Sequence, residues 1–200
     1  DVYRALGLRP AIVASGTTTA YGGTKLRPEV MDAMNKAATV MVDMDELNRA
    51  AGRVVAEVTG AEAGFVSSGS AGGLILQAAA CIAGADPIKM AQLPNTEGLK
   101  NEIIIHRTHR FPYDQCYRAA GAELVDVGDG RRCHPWQLEA AFTERTAAVA
   151  YLISPFVSRR ALPLAQVCEI AHAHGVPVIV DAASVLPPRA NLRRFTAEGA

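Results

Sequence analysis

The chain carries no excess charge of either sign: lysine plus arginine equals aspartate plus glutamate, and no acidic or basic tail breaks the balance. Large nucleic-acid contacts need clustered positive charge, so a nucleic-acid partner is not expected. Lysine is scarce. The 200 residues hold only Lys25, Lys36, Lys89 and Lys100, against sixteen arginines. Arginine suits carboxylate and phosphate ligands, and genomic composition produces the same bias. Paired cysteines are missing as well. Cys81, Cys116, Cys133 and Cys168 are scattered, with no C-x-x-C spacing, so nothing demands disulfides and a reducing cytoplasm is the expected location. Cys168, His172 and His174 loosely suggest a metal site, but only the i and i+4 members share a helix face. A buried thiol beside two partly exposed histidines is the better reading, and no metal is expected. No apolar run approaches a membrane span, the alanine-rich residues 78–85 being far too short. Asp1-Val-Tyr-Arg leads into no long apolar core, so no signal peptide is read.

Half of the residues are apolar and a fifth are charged, as in a globular domain. Two hundred residues fit one domain or most of a larger one. The pattern along the chain alternates. A strand is expected over 11–14, then a small-polar stretch, Ser15-Gly-Thr-Thr-Thr19, and a turn at Gly22-Gly23. Pro28 opens a helix through Met34. A stronger helix is expected over 45–58, with Leu47, Ala50, Ala51, Val54, Val55 and Val58 as its apolar stripe and Gly60 as its stop. Strands are then expected over 64–67, 102–106, 122–127, 147–153 and 176–180. Helices are expected over 71–83, 113–120, 135–142 and 164–173. Residues 86–101 read as a surface loop. This alternation predicts an α/β fold, a mostly parallel sheet with helices on both faces. Two parts are expected: an N-terminal helical segment, 1–60, and a larger domain, 61–200.

Ligands of open α/β sheets bind at the carboxyl ends of the strands, and four features fall there. Ser67-Ser68-Gly69-Ser70-Ala71-Gly72-Gly73 joins an expected strand to a helix start. Free amides, glycines and hydroxyls at a helix N-terminus make a phosphate cradle, although such turns also serve as plain caps. It lacks the Gly-Lys-Ser/Thr of a Walker loop. Gly69, Gly72 and Gly73 keep a nucleotide-binding Rossmann reading open, but no strand ending in an acidic residue follows at the required distance. His106 and His109 come just after the next strand, where an imidazole can stack on an aromatic cofactor or be an ordinary loop histidine. Arg107 and Arg110 beside them read equally as anion ligands or as a solvated face. Ser154, before Pro155 and Phe156, ends another strand, where a polar residue can touch a ring substituent or equally begin a turn. In His174-Gly-Val-Pro-Val-Ile-Val-Asp181 an unbroken apolar run ends in a carboxylate, which can also do no more than cap a following helix. Such a carboxylate needs a cationic partner, because burying it unpaired is costly; a protonated pyridine nitrogen is one. Ala183 is small enough for a flat ring to lie against the backbone.

The order of these motifs resembles fold-type I enzymes that use pyridoxal 5'-phosphate (PLP), and more closely the selenocysteine synthase (seryl-tRNA selenium transferase) family, whose relatives include D-glucosaminate-6-phosphate ammonia-lyase-like enzymes. The matching stretches are Ala14-Ser-Gly-Thr-Thr-Thr-Ala-Tyr-Gly-Gly23, Pro28-Glu-Val-Met-Asp-Ala-Met34, Glu46-Leu-Asn-Arg-Ala-Ala-Gly52, Val58-Thr-Gly-Ala-Glu-Ala63, Ser68-Gly-Ser-Ala71 and His106-Arg-Thr-His109. The resemblance extends over essentially the whole chain.

The resemblance implies a lyase or transferase that abstracts the α-proton of an amino acid and then eliminates or replaces a β-substituent. A small substrate other than a tRNA is preferred; aldol cleavage or racemisation would use the same residues. Ser68, Gly69, Ser70 and Ala71 would hold the phosphate. His109, or less favourably His106, would stack on the ring. Ser154 would lie near the ring oxygen, Asp181 would pair with the ring nitrogen, and Ala183 would adjoin the ring. His109 and Asp181 are the catalytic assignments. Residues 17–23 would border the substrate entrance. The family's Schiff-base lysine has no counterpart after Asp181, so the chain is expected to be cut before it and inactive alone. A companion chain supplying that lysine to a non-catalytic fragment is the alternative. A homodimer or larger assembly is expected.

Overall fold

The computed structural model describes residues 2–14, 17–154 and 160–200. They form two compact units, 1–47 and 48–200. In the first, α1 (Val2–Ala5) precedes a 3-10 turn at Thr19–Tyr21 and α2 (Pro28–Ala37). The turn is closed by a Thr18–Gly23 bridge. Pro28 occupies the first turn of α2, where its missing N–H costs nothing. No described residue of this unit is buried. The strand expected over 11–14 does not form. Ile12 is fully exposed, and an isolated extended segment has no ladder to stabilise it.

Helix α3 (Met44–Thr59) crosses the division between the units. The second unit continues with α4 (Ser70–Ala83), α5 (Pro87–Gln92), β1 (Glu102–His106), α6 (Gln115–Ala119), β2 (Glu123–Val127), α7 (Pro135–Glu139), β3 (Thr146–Leu152), α8 (Leu164–Ala173), β4 (Val178–Asp181) and α9 (Asn191–Ala197). The four strands make one sheet in the order β2-β1-β3-β4, every pair parallel. The expected mostly parallel α/β architecture is what forms.

Side-chain alternation divides the sheet into two cores. Ile103, Ile105, Ala148, Ala150 and Ile179 pack with Leu74, Ala78 and Ile82 of α4 and Cys116 and Tyr117 of α6. Ile104, Val149 and Tyr151 pack with Leu138 of α7, Val167 and Ala171 of α8, and Phe195 of α9. Helices therefore cover both faces, which is why β1 and β3 are continuous apolar runs.

Two further local expectations differ from the structure. Residues 64–67 are not a strand. Instead, the side chain of Asn48 takes both backbone groups of Val66: Oδ1 accepts its N–H at 3.0 Å and Nδ2 donates to its carbonyl at 2.9 Å. Residues 86–101 are not all loop. Asp86 caps α5, accepting from the N–H groups of Ile88 and Lys89, and Pro87 fills the first helical position. Helix α9 forms where the sequence pattern predicts no element. Cys168 is buried, His172 is exposed, and His174 stacks on Phe142 with ring centroids 4.2 Å apart.

Candidate functional site

The carboxyl ends of β1, β3 and β4 and the N-terminus of α4 define the site. Gly69 precedes α4 with φ of +118°, a conformation that side-chain-bearing residues rarely adopt. Among the described residues no side chain caps this helix. Its first amides are thus available to an anion, with the helix dipole adding positive potential. Ser67 Oγ donates to the carbonyl of Gly69 at 2.9 Å and bends the approach. Gly72 lies so near Ser68 that a Cβ would meet its Oγ at 2.5 Å. The Ser68 side chain thus folds over the first turn of α4, and Ser68, Gly69 and Ser70 lie at the surface.

Asp181 ends β4. It is two residues beyond Ile179 and shares that residue's face, the face covered by α4. It is buried, at 8% exposure. Its Oδ1 accepts from the N–H of Ala183 at 3.1 Å, while no ion pair to it forms among the described residues. Asp181 lines a small apolar cavity with Leu74, Ile105, His109, Tyr117 and Ala150. A carboxylate in such surroundings calls for a cation.

The two histidines separate. His106 continues the face of Ile104 and Tyr151, whereas His109 belongs to the 3-10 turn Arg107–His109 and lines the cavity. Both are fully buried. Their ring centroids are 5.1 Å apart, and each meets the Tyr151 ring edge-on. Burial lowers the pKa of His106 to about 4. Burial, then the neighbouring His106, lowers that of His109 to about 3. Nδ1 of His109 accepts from the N–H of Leu152 at 3.2 Å. Nε2 of His109, both nitrogens of His106 and Oγ1 of Thr108 are buried with no hydrogen-bond partner among the described residues. Such a concentration of unmet polar atoms in one turn is unusual, because buried polar groups are normally paired.

Ser154 follows β3 and is half-buried; Ala183 is exposed. The adjoining Ile153 N–H donates to the Asp181 carbonyl at 2.9 Å, joining the ends of β3 and β4. Pro155 and Phe156 lie outside the described residues, as do Ser15 and Gly16.

Arg107 and Arg110 are not a free anion site. Arg110 donates to Asp114 through Nε at 2.5 Å and to Asp126 through NH1 at 2.6 Å, and Arg107 reaches Asp126 at 3.6 Å. Arg118 holds the other oxygen of Asp114. Burial raises the pKa of Asp114, but the hydrogen bonds and charges of Arg110 and Arg118 outweigh it and leave the carboxyl below its ordinary range. This clamp fixes the turn that carries His109. The sequence reading missed Tyr117, which lines the cavity and whose phenol is pushed up by burial and then by the charge of Asp181. Helical periodicity marks Tyr117 only as a core residue. The Arg110–Asp114 pair does have a local signal, the i, i+4 spacing.

These residues fit PLP as a set. The uncapped helix start suits a phosphate, the buried carboxylate suits a pyridinium, and the orphaned His109 nitrogen awaits a polar atom. Comparison with known proteins agrees. A 34% identical relative is the D-glucosaminate-6-phosphate ammonia lyase of Salmonella typhimurium, aligned over 100% of this chain and 54% of its own length. The 5'-C-glycyluridine monooxygenase-decarboxylase of a Streptomyces species is 37% identical over 99% of this chain and 50% of its own length. The solved structure of D-glucosaminate-6-phosphate ammonia-lyase superposes with a TM-score of 0.93 at 33% identity, covering 100% of this chain and 55% of that one. The chain thus spans about half the length of the curated relatives it matches. The model of the L-seryl-tRNA selenium transferase family matches residues 17–195, and the chain belongs to that family of PLP-dependent enzymes.

Proposed function

We propose that this chain forms the cofactor-holding part of a PLP-dependent lyase or transferase. The enzyme takes a proton from the α-carbon of a small amino acid and then expels or exchanges a group at the β-carbon. The observation that carries this reading is the buried Asp181, without a cationic partner among the described residues and on the sheet face covered by α4. The relative named ammonia lyase and the match to the L-seryl-tRNA selenium transferase family support the reaction class. The zero net charge supports a small substrate over a tRNA.

When bound, PLP supplies an electron sink for the bond broken at the substrate's α-carbon. The residues of this chain supply the rest. Amides of Ser70 and Ala71, with the Ser70 hydroxyl, grip the phosphate. Asp181 holds a proton on the ring nitrogen, since an adjacent carboxylate favours the cationic form. His109 would border the ring, Ser154 would adjoin its oxygen, and the short Ala183 would leave it room. Leu74, Ile105 and Ala150 give the cavity dry walls, which strengthen these charge interactions. None of the four lysines lines the cavity, so in this reading the reactive amine comes from sequence outside residues 1–200. A homodimer or larger assembly belongs to the reading as well, supported by a first unit that buries none of its described residues.

The test is a binding comparison of PLP with pyridoxal by equilibrium dialysis. PLP should bind at least about tenfold more tightly, the worth of one to two charge-assisted hydrogen bonds. No binding of PLP at millimolar concentration would sink the proposal.

A further inference from the structure

Peptide direction alternates along a strand, so every second N–H points toward the same neighbour. In β3 the N–H of Val149 goes to the Pro177 carbonyl and that of Ile153 to the Asp181 carbonyl, both on the β4 side. By parity the N–H of Leu152 points toward β1. There β1 has already ended at His106 and turned into the Arg107–His109 helix turn. The acceptor that meets this N–H is not a strand carbonyl. It is Nδ1 of His109, at 3.2 Å. The imidazole extends the β1–β3 ladder by one bond.

A ring nitrogen that accepts a hydrogen bond carries no proton, and a neutral imidazole then holds its single proton on the other nitrogen. The ring is neutral, because burial and the neighbouring His106 oppose a charge. Tyr151 steadies the ring plane: its ring lies edge-on at 4.7 Å, and its hydroxyl donates to the Leu162 carbonyl at 2.8 Å. The remaining nitrogen, Nε2, is buried and has no partner among the described residues. A buried donor left unmet is costly, and a ligand acceptor recovers that cost.

We propose that His109 is a fixed hydrogen-bond donor, presenting Nε2–H to an acceptor oxygen of the bound cofactor or amino acid, and that the backbone amide of Leu152 sets this tautomer. Leu152 thus acts as a positioning residue through its main chain, and Tyr151 through its ring. The ligand atom met by Nε2 is an oxygen without a proton, such as a phenolate or carboxylate; an N–H group there is refused. His109 does not act as a base at Nε2. The identity of the ligand rests on the cofactor reading above, whereas the tautomer does not.

The experiment has two arms. In the first, the full chain labelled with 15N-histidine is studied without ligand at neutral pH by long-range proton–nitrogen correlation, with His109 assigned by its loss in the His109→Asn variant. The expected signal is a proton on Nε2 and none on Nδ1. A proton on Nδ1, or on both nitrogens, overturns the proposal. In the second arm, His109→Asn keeps an acceptor near the Nδ1 position and His109→Gln keeps a donor near the Nε2 position. His109→Asn should hold the melting temperature and lose about tenfold in PLP affinity. His109→Gln should lower the melting temperature and stay within about threefold of the parent affinity. Equal affinities in the two variants overturn the donor role. If the parent chain shows the Nε2 proton but takes up no PLP, the donor assignment stands and the cofactor reading falls.

Discussion

Gly52 of α3 and Gly64, five residues beyond that helix, meet backbone to backbone. A Cβ on Gly52 would overlap the Gly64 carbonyl, and one on Gly64 would come within 2.6 Å of both the Gly52 oxygen and the Val55 Cβ. With the Asn48–Val66 hydrogen bonds, this contact lays residues 61–67 against α3 and sets where the chain enters the Ser67–Gly69 bend. Gly52→Ala must push two backbones apart, a change that costs about 1–3 kcal/mol when a packed site is overfilled. Denaturant unfolding should show that loss. An unchanged midpoint would mean the contact is looser than described.

The bend itself depends on Gly69. Its φ of +118° with ψ of 176° falls in a region essentially reserved for glycine. Gly69→Ala should cost about 1–3 kcal/mol of stability and weaken PLP more than it weakens pyridoxal, because only the phosphate needs this loop shape. A variant that loses affinity for both equally would place the phosphate elsewhere.

Acid sensitivity follows from the two histidines. Their folded-state pKa values, about 4 for His106 and about 3 for His109, lie below the unfolded value of about 6.5. Between those limits the unfolded chain binds protons that the folded chain refuses, so stability falls as pH drops from about 6.5 toward 3. Each group contributes a slope of at most about 1.4 kcal/mol per pH unit. His106→Leu removes one buried base with two unmet nitrogens. Its acid limb should be shallower, and its stability at neutral pH equal or higher. Stability curves of parent and variant that run parallel from pH 7 to pH 4 would refute this.

What the sequence disclosed, and what it withheld, has a physical pattern. Glu102-Ile-Ile-Ile-His106 and Val178-Ile-Val-Asp181 were readable because strands buried on both faces must be apolar throughout, and a polar residue at their ends marks the ligand edge. Gly64-Phe-Val-Ser67 has the same local character but gains no ladder partner, and pairing is a non-local event that composition does not report. Asp86-Pro87 was a helix start hidden by its proline, which also reads as a loop signal. The site divides in the same way. Asp181, His109 and Ser68 to Ala71 were named because they sit at element ends. The Leu152–His109 bond, the Asp126 arm of the Arg110 clamp and the place of Tyr117 in the cavity wall depend on which strands become neighbours, and no spacing along the chain encodes that.

The charge of Asp181 can be separated from its hydrogen bond to Ala183. Asp181→Asn keeps the side-chain oxygen that accepts the Ala183 N–H and removes only the negative charge. If that charge holds a proton on a pyridine nitrogen, the loss is a charge-assisted hydrogen bond, about 1.5–3 kcal/mol, or about 10- to 100-fold in PLP affinity. Stability without ligand should move the other way, because a buried carboxylate with no ion pair among the described residues carries a desolvation cost that an amide largely avoids. Equilibrium dialysis with PLP and thermal unfolding without it separate the two effects. A variant that binds PLP as the parent does would show that the carboxylate never meets the ring. A variant that unfolds at room temperature would show that Asp181 serves the fold before it serves a ligand.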